Sequence, residues 1–340
     1  MENRVTEFEQ IMKDCTLCPR NCHADRLGGR RGYCGQGAEI MAARAALHFW
    51  EEPCISGETG SGTVFFSGCV LRCVYCQNHN IAESRAGRII GWERLSEIFL
   101  ELQDKKANNI NLVTPTHFVP QIALALERAK LGGLHIPVVY NTGSYERVET
   151  LKRMEGLVDI YLPDLKYMSS RLGERYSHAA DYFETASAAV AEMVRQTGEP
   201  DFDDKSGLMK KGVIVRHLVL PGCTADSKKV ISYLYHTYGD RIYISIMNQF
   251  TPVCDLSSFP ELNRRITARE YEKIVDYALD IGVENGFIQE GNTAEESFIP
   301  EYLGLIPEPY HKSIHFCSFH RFLLLVDKYW KTLSFIIDYK

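Results

Sequence analysis

No apolar stretch follows basic residues at the start of this 340-residue chain, so no secretory signal is read in it. Long hydrophobic runs are also missing. The longest near the C-terminus, Phe322-Leu323-Leu324-Leu325-Val326, is far too short to cross a bilayer. Nor is there a surplus of positive charge: 38 Lys and Arg against 44 Asp and Glu give −6, which removes the electrostatic case for nucleic acid as a main partner. The expectation is a cytoplasmic protein with no membrane and no nucleic-acid role. What the chain has in quantity is cysteine. Eleven cysteines without an export signal point to metal sites in a reducing compartment, not to disulfides. The length suffices for one large core, or a core plus a small module.

Three of the cysteines, Cys69, Cys73 and Cys76, fall in Phe-Ser-Gly-Cys-Val-Leu-Arg-Cys-Val-Tyr-Cys-Gln-Asn. The spacing Cys-x3-Cys-x2-Cys puts three thiolates on one short loop. A [4Fe–4S] cluster held only by protein normally takes four cysteines, so three leave one iron open, and an open metal position implies a bound reactant. Gly60-Ser61-Gly62-Thr63-Val64-Phe65-Phe66 reads as a turn and a short strand that delivers the loop at a strand's C-terminal end, where barrel enzymes keep their chemistry. The bland alternative is a zinc knuckle completed by a distant ligand such as His79.

On this loop the chain resembles the radical S-adenosylmethionine superfamily, and within it the relatives of pyruvate formate-lyase activating enzyme. The resemblance implies a [4Fe–4S] cluster whose open iron chelates S-adenosylmethionine. An electron from the cluster then cleaves the sulfonium to a 5′-deoxyadenosyl radical. It also implies that Tyr75 lies near the adenine, and that a flavodoxin or ferredoxin donates the electron.

A second set, Cys15, Cys18, Cys22 and Cys34, has the spacing Cys-x2-Cys-x3-Cys-x11-Cys, with Gly28, Gly29, Gly32 and Gly35 breaking up its second half. So loop-rich a segment usually needs a metal to hold it. Four thiolates suit zinc or a second Fe–S cluster equally well. A similar Cys-x2-Cys-Pro-x2-Cys stretch precedes the radical loop in some relatives of the activating enzymes. Cys54, Cys223, Cys254 and Cys317 have no motif partners and are read as structural.

From residue 60 to about 290, β-rich runs alternate with helical patterns, the signature of parallel βα units. Strands are expected at 63–66, 110–113, 136–140, 158–162, 213–219 and 242–247. Helices are expected around Trp92–Leu102, Ile122–Ala129, Tyr145–Met154, Tyr182–Gln196 and Val230–Leu234. A last helix opens with a capping box at Thr267 and Glu270. Six units match the partial (β/α)6 barrel that the resemblance implies, an α/β fold of radical SAM type. The division is a Cys-rich module at 1–45, the partial barrel at 46–300 and an irregular tail at 301–340, where His311, His315, Cys317 and His320 crowd together.

Ligands of parallel sheets sit at C-terminal strand ends. These carry Thr114, Thr116 and His117; then Asn141 and Thr142; then Asp164 and Lys166; then Arg216. The resemblance implies that these residues meet the cofactor. Activating enzymes commonly carry Gly-Gly-Glu-Pro where this chain has Thr114-Pro115-Thr116-His117. Asp164-Leu165-Lys166 resembles their Asp-x-Lys motif, and Arg216 through Gly222 their Arg-…-Pro-Gly stretch. Arg216 alternates inward and needs an anion, either the cofactor's carboxylate or Asp164. The leading reading is an enzyme that makes a 5′-deoxyadenosyl radical and abstracts a hydrogen from a substrate, its sharper version being activation of a glycyl radical enzyme. Alternatives are radical modification of a small molecule or another protein, or, in a different class, an iron–sulfur electron carrier or a zinc-stabilised module.

Overall fold

Val-, Ile- and Leu-rich runs that are buried along their whole length can only be strands covered on both faces, and four such runs set the architecture. The computed structural model describes residues 2–84, 86–253, 255–289 and 330–332. In chain order the strands are β1 (Ile40–His48), β2 (Ser61–Phe66), β3 (Arg88–Ile90), β4 (Ile110–Val113), β5 (Val138–Thr142), β6 (Ile160–Pro163), β7 (Asp201–Phe202), β8 (Met209–Leu218), β9 (Tyr243–Met247), β10 (Gly286–Gln289) and β11 (Trp330–Thr332). Every residue of β2, β4, β5 and β6 is buried.

The strands β2, β4, β5, β6, β8, β9 and β10 pair in that order, all parallel. Six of the seven are those expected from the sequence, and β10 is an addition. The antiparallel β1 and β3 finish one side of the sheet and the antiparallel β11 the other, so the sheet stays open. The fold is α/β with an unclosed parallel sheet. Strand β5 begins at Val138 because Pro137 has no N–H to give the ladder; its carbonyl accepts from Ile110 instead (2.9 Å).

The helices between the strands are α1 (Glu2–Lys13), α2 (Pro53–Ser56), α3 (His79–Ala82), α4 (Trp92–Asp104), α5 (Val119–Leu131), α6 (Val148–Lys152), α7 (Ser170–Ser177), α8 (Tyr182–Thr197), α9 (Thr224–Tyr238) and α10 (Ala268–Asp280). Helix α4 buries Leu95, Ile98, Phe99 and Leu102, the apolar set at helical spacing. Each such side chain contributes roughly 1.5–3 kcal/mol by leaving water. Helix α10 opens with the expected box: Thr267 Oγ1 accepts from the Glu270 N–H, and the Glu270 carboxylate accepts from the Thr267 N–H.

Period-two alternation sorts the strand residues onto two faces. Val138, Tyr140, Val213 and Val215 join the core beneath the helices. Val139, Ile160, Leu162 and Ile214 face the other way and pack against Cys54 and Ile55 of α2. The segment after β1 therefore folds back across the inner face of the sheet. Strand β1 itself runs across residue 45, where the sequence placed the end of the N-terminal module. Cys254 and the tail at 301–340, with His311, His315, Cys317 and His320, lie outside the described residues except for β11.

Candidate active site

The loop after β2 carries Cys69, Cys73 and Cys76 into a cavity of about 250 Å³ that is also lined by Tyr75, Thr114, Thr116, Asn141, Thr142, Asp164, Lys166 and Arg216. Eleven of the twelve residues expected at the cluster and cofactor from the loop and strand ends thus reach one space. The loop holds its shape through backbone features that the sequence encodes. Gly68 has φ +87°, and a Cβ there would come within 2.6 Å of the Cys34 carbonyl. The Cys76 N–H donates to Cys73 (3.0 Å), and the Val74 N–H donates to the Tyr176 carbonyl (2.9 Å). Cys73 Sγ contacts Ser177 Oγ at 2.9 Å; Ser177 contacts the Tyr167 hydroxyl at 3.0 Å, which contacts that of Tyr75 at 2.5 Å.

Four charges meet on one flank. Arg216 Nε donates to Asp164 Oδ1 (3.0 Å), Nη1 to Glu51 Oε2 (2.9 Å) and Nη2 to Asn141 Oδ1 (2.6 Å). Lys166 Nζ donates to Asp164 Oδ2 (2.7 Å). Glu51 Oε1 accepts from Asn111 (3.0 Å) and Asn141 (3.3 Å). The side chains are only 8–19% exposed, so this is an ion network inside the cavity and not a surface pair. Burial alone would raise the Asp164 carboxyl, yet Lys166 and Arg216 together hold it below the usual range. Burial also opposes the charge on Lys166 and Arg216, and the facing carboxylates more than restore it, leaving both raised. Behind them Glu52 is fully buried with no hydrogen bond to either oxygen, and desolvation pushes it to about 7.

Behind the other flank lies Glu146, which does not itself line the cavity; it accepts from the lining Thr116 Oγ1 (2.6 Å) and Thr142 Oγ1 (2.5 Å) and from the Tyr140 hydroxyl (3.4 Å), all on Oε1. Its Oε2 has no partner, and burial raises the carboxyl to about 7 against the pull of the three hydroxyls. Thr114 sits between the flanks with φ +60°, an unusual conformation for a β-branched residue and one that clusters at functional sites.

His117 is the exception among the expected residues. It does not line the cavity. Its Nε2 lies 2.7 Å from the Ser67 carbonyl, and its own carbonyl accepts from Arg26 (2.7 Å). Burial, helped by the Arg26 charge, lowers it to about 3, so it is a neutral packing residue under the loop. His79, the alternative fourth ligand, does not line the cavity either. Among the described residues no three ligating side chains gather closely enough to hold a single ion. Of the polar pair after β9, Gln249 lines the cavity, whereas Asn248 turns its N–H to Gln289 Oε1 (2.9 Å).

Sequence reasoning missed Glu51 and Glu146. The demand of a buried Arg216 for an anion was a signal for the first, because Glu51-Glu52-Pro53 closes an apolar strand. Glu146 lies within a helical pattern and carried no signal. Ser177 and Tyr167 were equally silent, being fixed to Cys73 and Tyr75 only by the fold.

The open parallel sheet leads three thiols and a strand-end ion network into one cavity. Residues 63–231 match the family model described as Radical SAM superfamily, and the chain is a member of that superfamily. Its members use a [4Fe–4S] cluster with S-adenosylmethionine. A relative described as uncharacterized protein MJ0674, from Methanocaldococcus jannaschii, is 29% identical over 293 residues, covering 82% of this chain and 78% of the relative. Among solved structures, SuiB of Streptococcus suis bound to its precursor peptide SuiA is 12% identical, with a TM-score of 0.47 over 66% of this chain and 46% of SuiB. A domain of pyruvate-formate lyase-activating enzyme from Bacteroides vulgatus is 13% identical, with a TM-score of 0.37 over 51% of this chain and 92% of that domain. The chain spans about half the length of the SuiB structures it matches. Among the described residues no helix is long and apolar enough to cross a membrane.

The residues present fit both groups. A cubane takes one thiolate per iron, so thiols spread along one cavity wall suit it better than they suit a single ion. Burial raises the thiols of Cys73 and Cys76, so they need a metal's charge to ionise. Two carboxylates and two cations face the same space, as a zwitterionic amino-acid group requires.

Proposed function

We propose that this protein is a radical-generating enzyme of the activating-enzyme type, which abstracts hydrogen from a glycine in a partner protein. The observation that supports it is the meeting of Cys69, Cys73 and Cys76 with Glu51, Asp164, Lys166 and Arg216 in one cavity. In this reading the three thiolates hold the cluster, and the remaining residues hold S-adenosylmethionine. Once bound, the cluster and S-adenosylmethionine supply one-electron chemistry that removes a hydrogen atom from a C–H bond. An electron donor of the flavodoxin or ferredoxin class feeds it, in the cytoplasm.

The protein's own part is positioning and exclusion of water. Three donor groups of Arg216 are engaged by Asp164, Glu51 and Asn141, so this side chain orients the others instead of binding the cofactor's carboxylate itself. Lys166 spends one bond on Asp164 and has donors left, which makes it the cation for that carboxylate. Glu51 and Asp164 would face the positive groups, accepting charge-assisted bonds worth roughly 1.5–3 kcal/mol each from the ammonium and meeting the sulfonium through charge alone. Tyr75, buried between Tyr176 and Phe250, walls the cavity beside Cys76 and presents a ring to the adenine. A Cys-rich module (1–45) with a second metal on Cys15, Cys18, Cys22 and Cys34 precedes the catalytic sheet (46–300). Of the tail (301–340), residues 330–332 add the edge strand β11 to that sheet.

The test is anaerobic reconstitution followed by S-adenosylmethionine and dithionite. The expected product is 5′-deoxyadenosine, absent from the Cys69→Ala/Cys73→Ala/Cys76→Ala protein. Equal product from the triple variant would sink the assignment. A glycyl doublet in the electron paramagnetic resonance of an added partner would support the substrate class; deuterium exchange into a small molecule alone would move it to that class.

A further inference from the structure

The N-terminal thiols form one group that is built against the radical loop. Cys18 lies within electrostatic reach of Cys34, Cys15 and Cys22. Cys22 Sγ occupies space that only a glycine at 32 leaves open, since a Cβ there would lie 2.4 Å from the sulfur. The backbone folds tightly around them, with Cys15 and Ala24 bridged and the Asn21 N–H donating to the Cys18 carbonyl (3.0 Å).

A second observation asks for negative charge here. Arg26 is 2% exposed, and its guanidinium reaches Gly37 and His117 carbonyls and, at 3.8 Å, Cys15 Sγ. Among the described residues no carboxylate pairs with it. A buried cation needs a compensating anion, and the thiols are the groups at hand that can become one. Arg20, two residues past Cys18, likewise meets only carbonyls and rings: it donates to Val70 (2.8 Å), Ser177 (3.1 Å) and His178, and lies over Tyr33 and Tyr145.

The same contacts fix how near the two thiol groups are. Arg20 joins Cys18's turn to Val70 in the radical loop and to Ser177, whose hydroxyl touches Cys73 Sγ. Tyr33, adjacent to Cys34, senses the charges of Cys69 and Cys73 and reaches the Leu71 carbonyl (3.5 Å). The Cys34 carbonyl abuts Gly68, the neighbour of Cys69. The ring of Tyr33 at Leu71 and the Cys34 carbonyl at Gly68 thus bring the backbone of the two groups into contact.

We propose that Cys15, Cys18, Cys22 and Cys34 hold a second [4Fe–4S] cluster that relays single electrons to the centre on Cys69, Cys73 and Cys76. The relay rests on the reading of that loop as the radical-generating site; the second cluster does not. A tetrahedral zinc would need its sulfurs about 2.3 Å from one point. Neither thiol group is gathered that tightly, and the two groups are alike in this. Four thiolates leave no iron open, so this centre takes up electrons without binding S-adenosylmethionine. In the transfer a low-potential flavodoxin- or ferredoxin-class donor gives one electron. The N-terminal cluster passes from its 2+ to its 1+ state and back as the loop cluster is reduced from 2+ to 1+. No bond forms or breaks.

The first measurement uses the full chain carrying Cys69→Ala, Cys73→Ala and Cys76→Ala, reconstituted anaerobically with iron and sulfide. About four irons and four sulfides per chain are expected, one cubane's worth, with a reducible cluster spectrum. About one zinc per chain, or no iron, overturns the proposal. The second measurement follows reduction of the loop cluster by reduced flavodoxin in stopped flow, comparing wild type with Cys22→Ser, the least buried of the four thiols. A loss of tenfold or more in rate is expected, and an unchanged rate overturns the relay. If Cys22→Ser does not fold, fully reduced wild type serves instead: spin–spin broadening between the two clusters supports the relay, and two isolated signals refute it. Should the triple variant keep its irons while wild type never cleaves S-adenosylmethionine, the loop reading and the relay both fall and the second cluster stands.

Discussion

On one flank of the cavity Asp164 and Glu51 meet two cations; behind the other, Glu146 meets three hydroxyls and no cation. Both flanks draw carboxylates out of bulk water, Glu146 to 2% exposure and the Asp164 side chain to 19%, yet Asp164 is held below the usual range and Glu146 is raised to about 7. Burial disfavours the charged carboxylate in both places, so the partner decides the protonation state. Hydroxyl bonds stabilise a carboxylate less than an apposed full charge does. Asp164, Lys166 and Arg216 therefore keep their charges at any physiological pH, while Glu146 titrates within it.

The largest effect should come from breaking the ionic flank. Arg216→Ala leaves Asp164 with Lys166 alone and Glu51 with only amide donors, in a site 8–19% exposed. Removing one member of a buried ion network costs about 3–5 kcal/mol, because the other charges remain uncompensated. Denaturant melts of the apo protein should show that loss, and the weakened positioning should also reduce S-adenosylmethionine cleavage. Arg216→Lys should recover only part, since one ammonium cannot span three partners. A melt within 1 kcal/mol of wild type would show that the network is solvated and the comparison between the flanks unfounded.

Glu146→Gln tests the other flank through pH. The folded carboxyl sits at about 7 against an ordinary 4.5, so between these values the folded state binds more protons than the unfolded state. Glu146 therefore contributes stability that is present in full below about pH 4.5 and is lost as pH rises through about 7, at most about 3 kcal/mol by the linkage relation. The neutral buried His117 and His217, lowered to about 3 and about 4, act in the opposite direction as pH falls below the ordinary histidine range, and Glu52 acts with Glu146. The stability difference between wild type and Glu146→Gln isolates the one group. It should drift against wild type from pH 4.5 to 7.5; a flat difference would mean that Glu146 is ionised throughout.

The two flanks also differ in how far the sequence betrays them. Alternating strands and helices, and the loop of Cys69, Cys73 and Cys76, are local patterns, and they appear in the fold where periodicity and spacing put them. Asp164, Lys166 and Arg216 could be read because they end apolar strands, and strand ends converge in any parallel sheet. Glu51 and Glu146 were hidden because neither follows a parallel strand directly: one returns on a segment that crosses the inner face, the other sits in the turn before α6. His117 misled for a related reason. It follows a strand in sequence, but the turn at Thr114, with φ +60°, swings the chain so that the histidine packs beneath the loop. Position relative to a strand can be read from sequence; the direction of the chain two residues later depends on tertiary packing.

Thr116→Val gives the smallest change and the finest test of the comparison. Valine keeps the shape and removes one hydroxyl, the donor at 2.6 Å from Glu146 Oε1, leaving Thr142 and the more distant Tyr140. While Glu146 is protonated the lost bond joins two neutral groups and should cost about 1 kcal/mol; once it ionises the lost bond is to a charge and should cost roughly 1.5–3 kcal/mol. The penalty should therefore grow as pH rises through 7, and the Glu146 carboxyl should move further above its present value, since a bond that favours its charged form is gone. A substitution on the ionic flank has no such profile, because Asp164 is already ionised across this range. Melts of Thr116→Val at pH 5 and pH 8, beside Arg216→Ala under the same conditions, make the contrast measurable. A pH-independent Thr116→Val penalty would show that Glu146 does not change charge, and that the hydroxyl flank is as fixed as the ionic one.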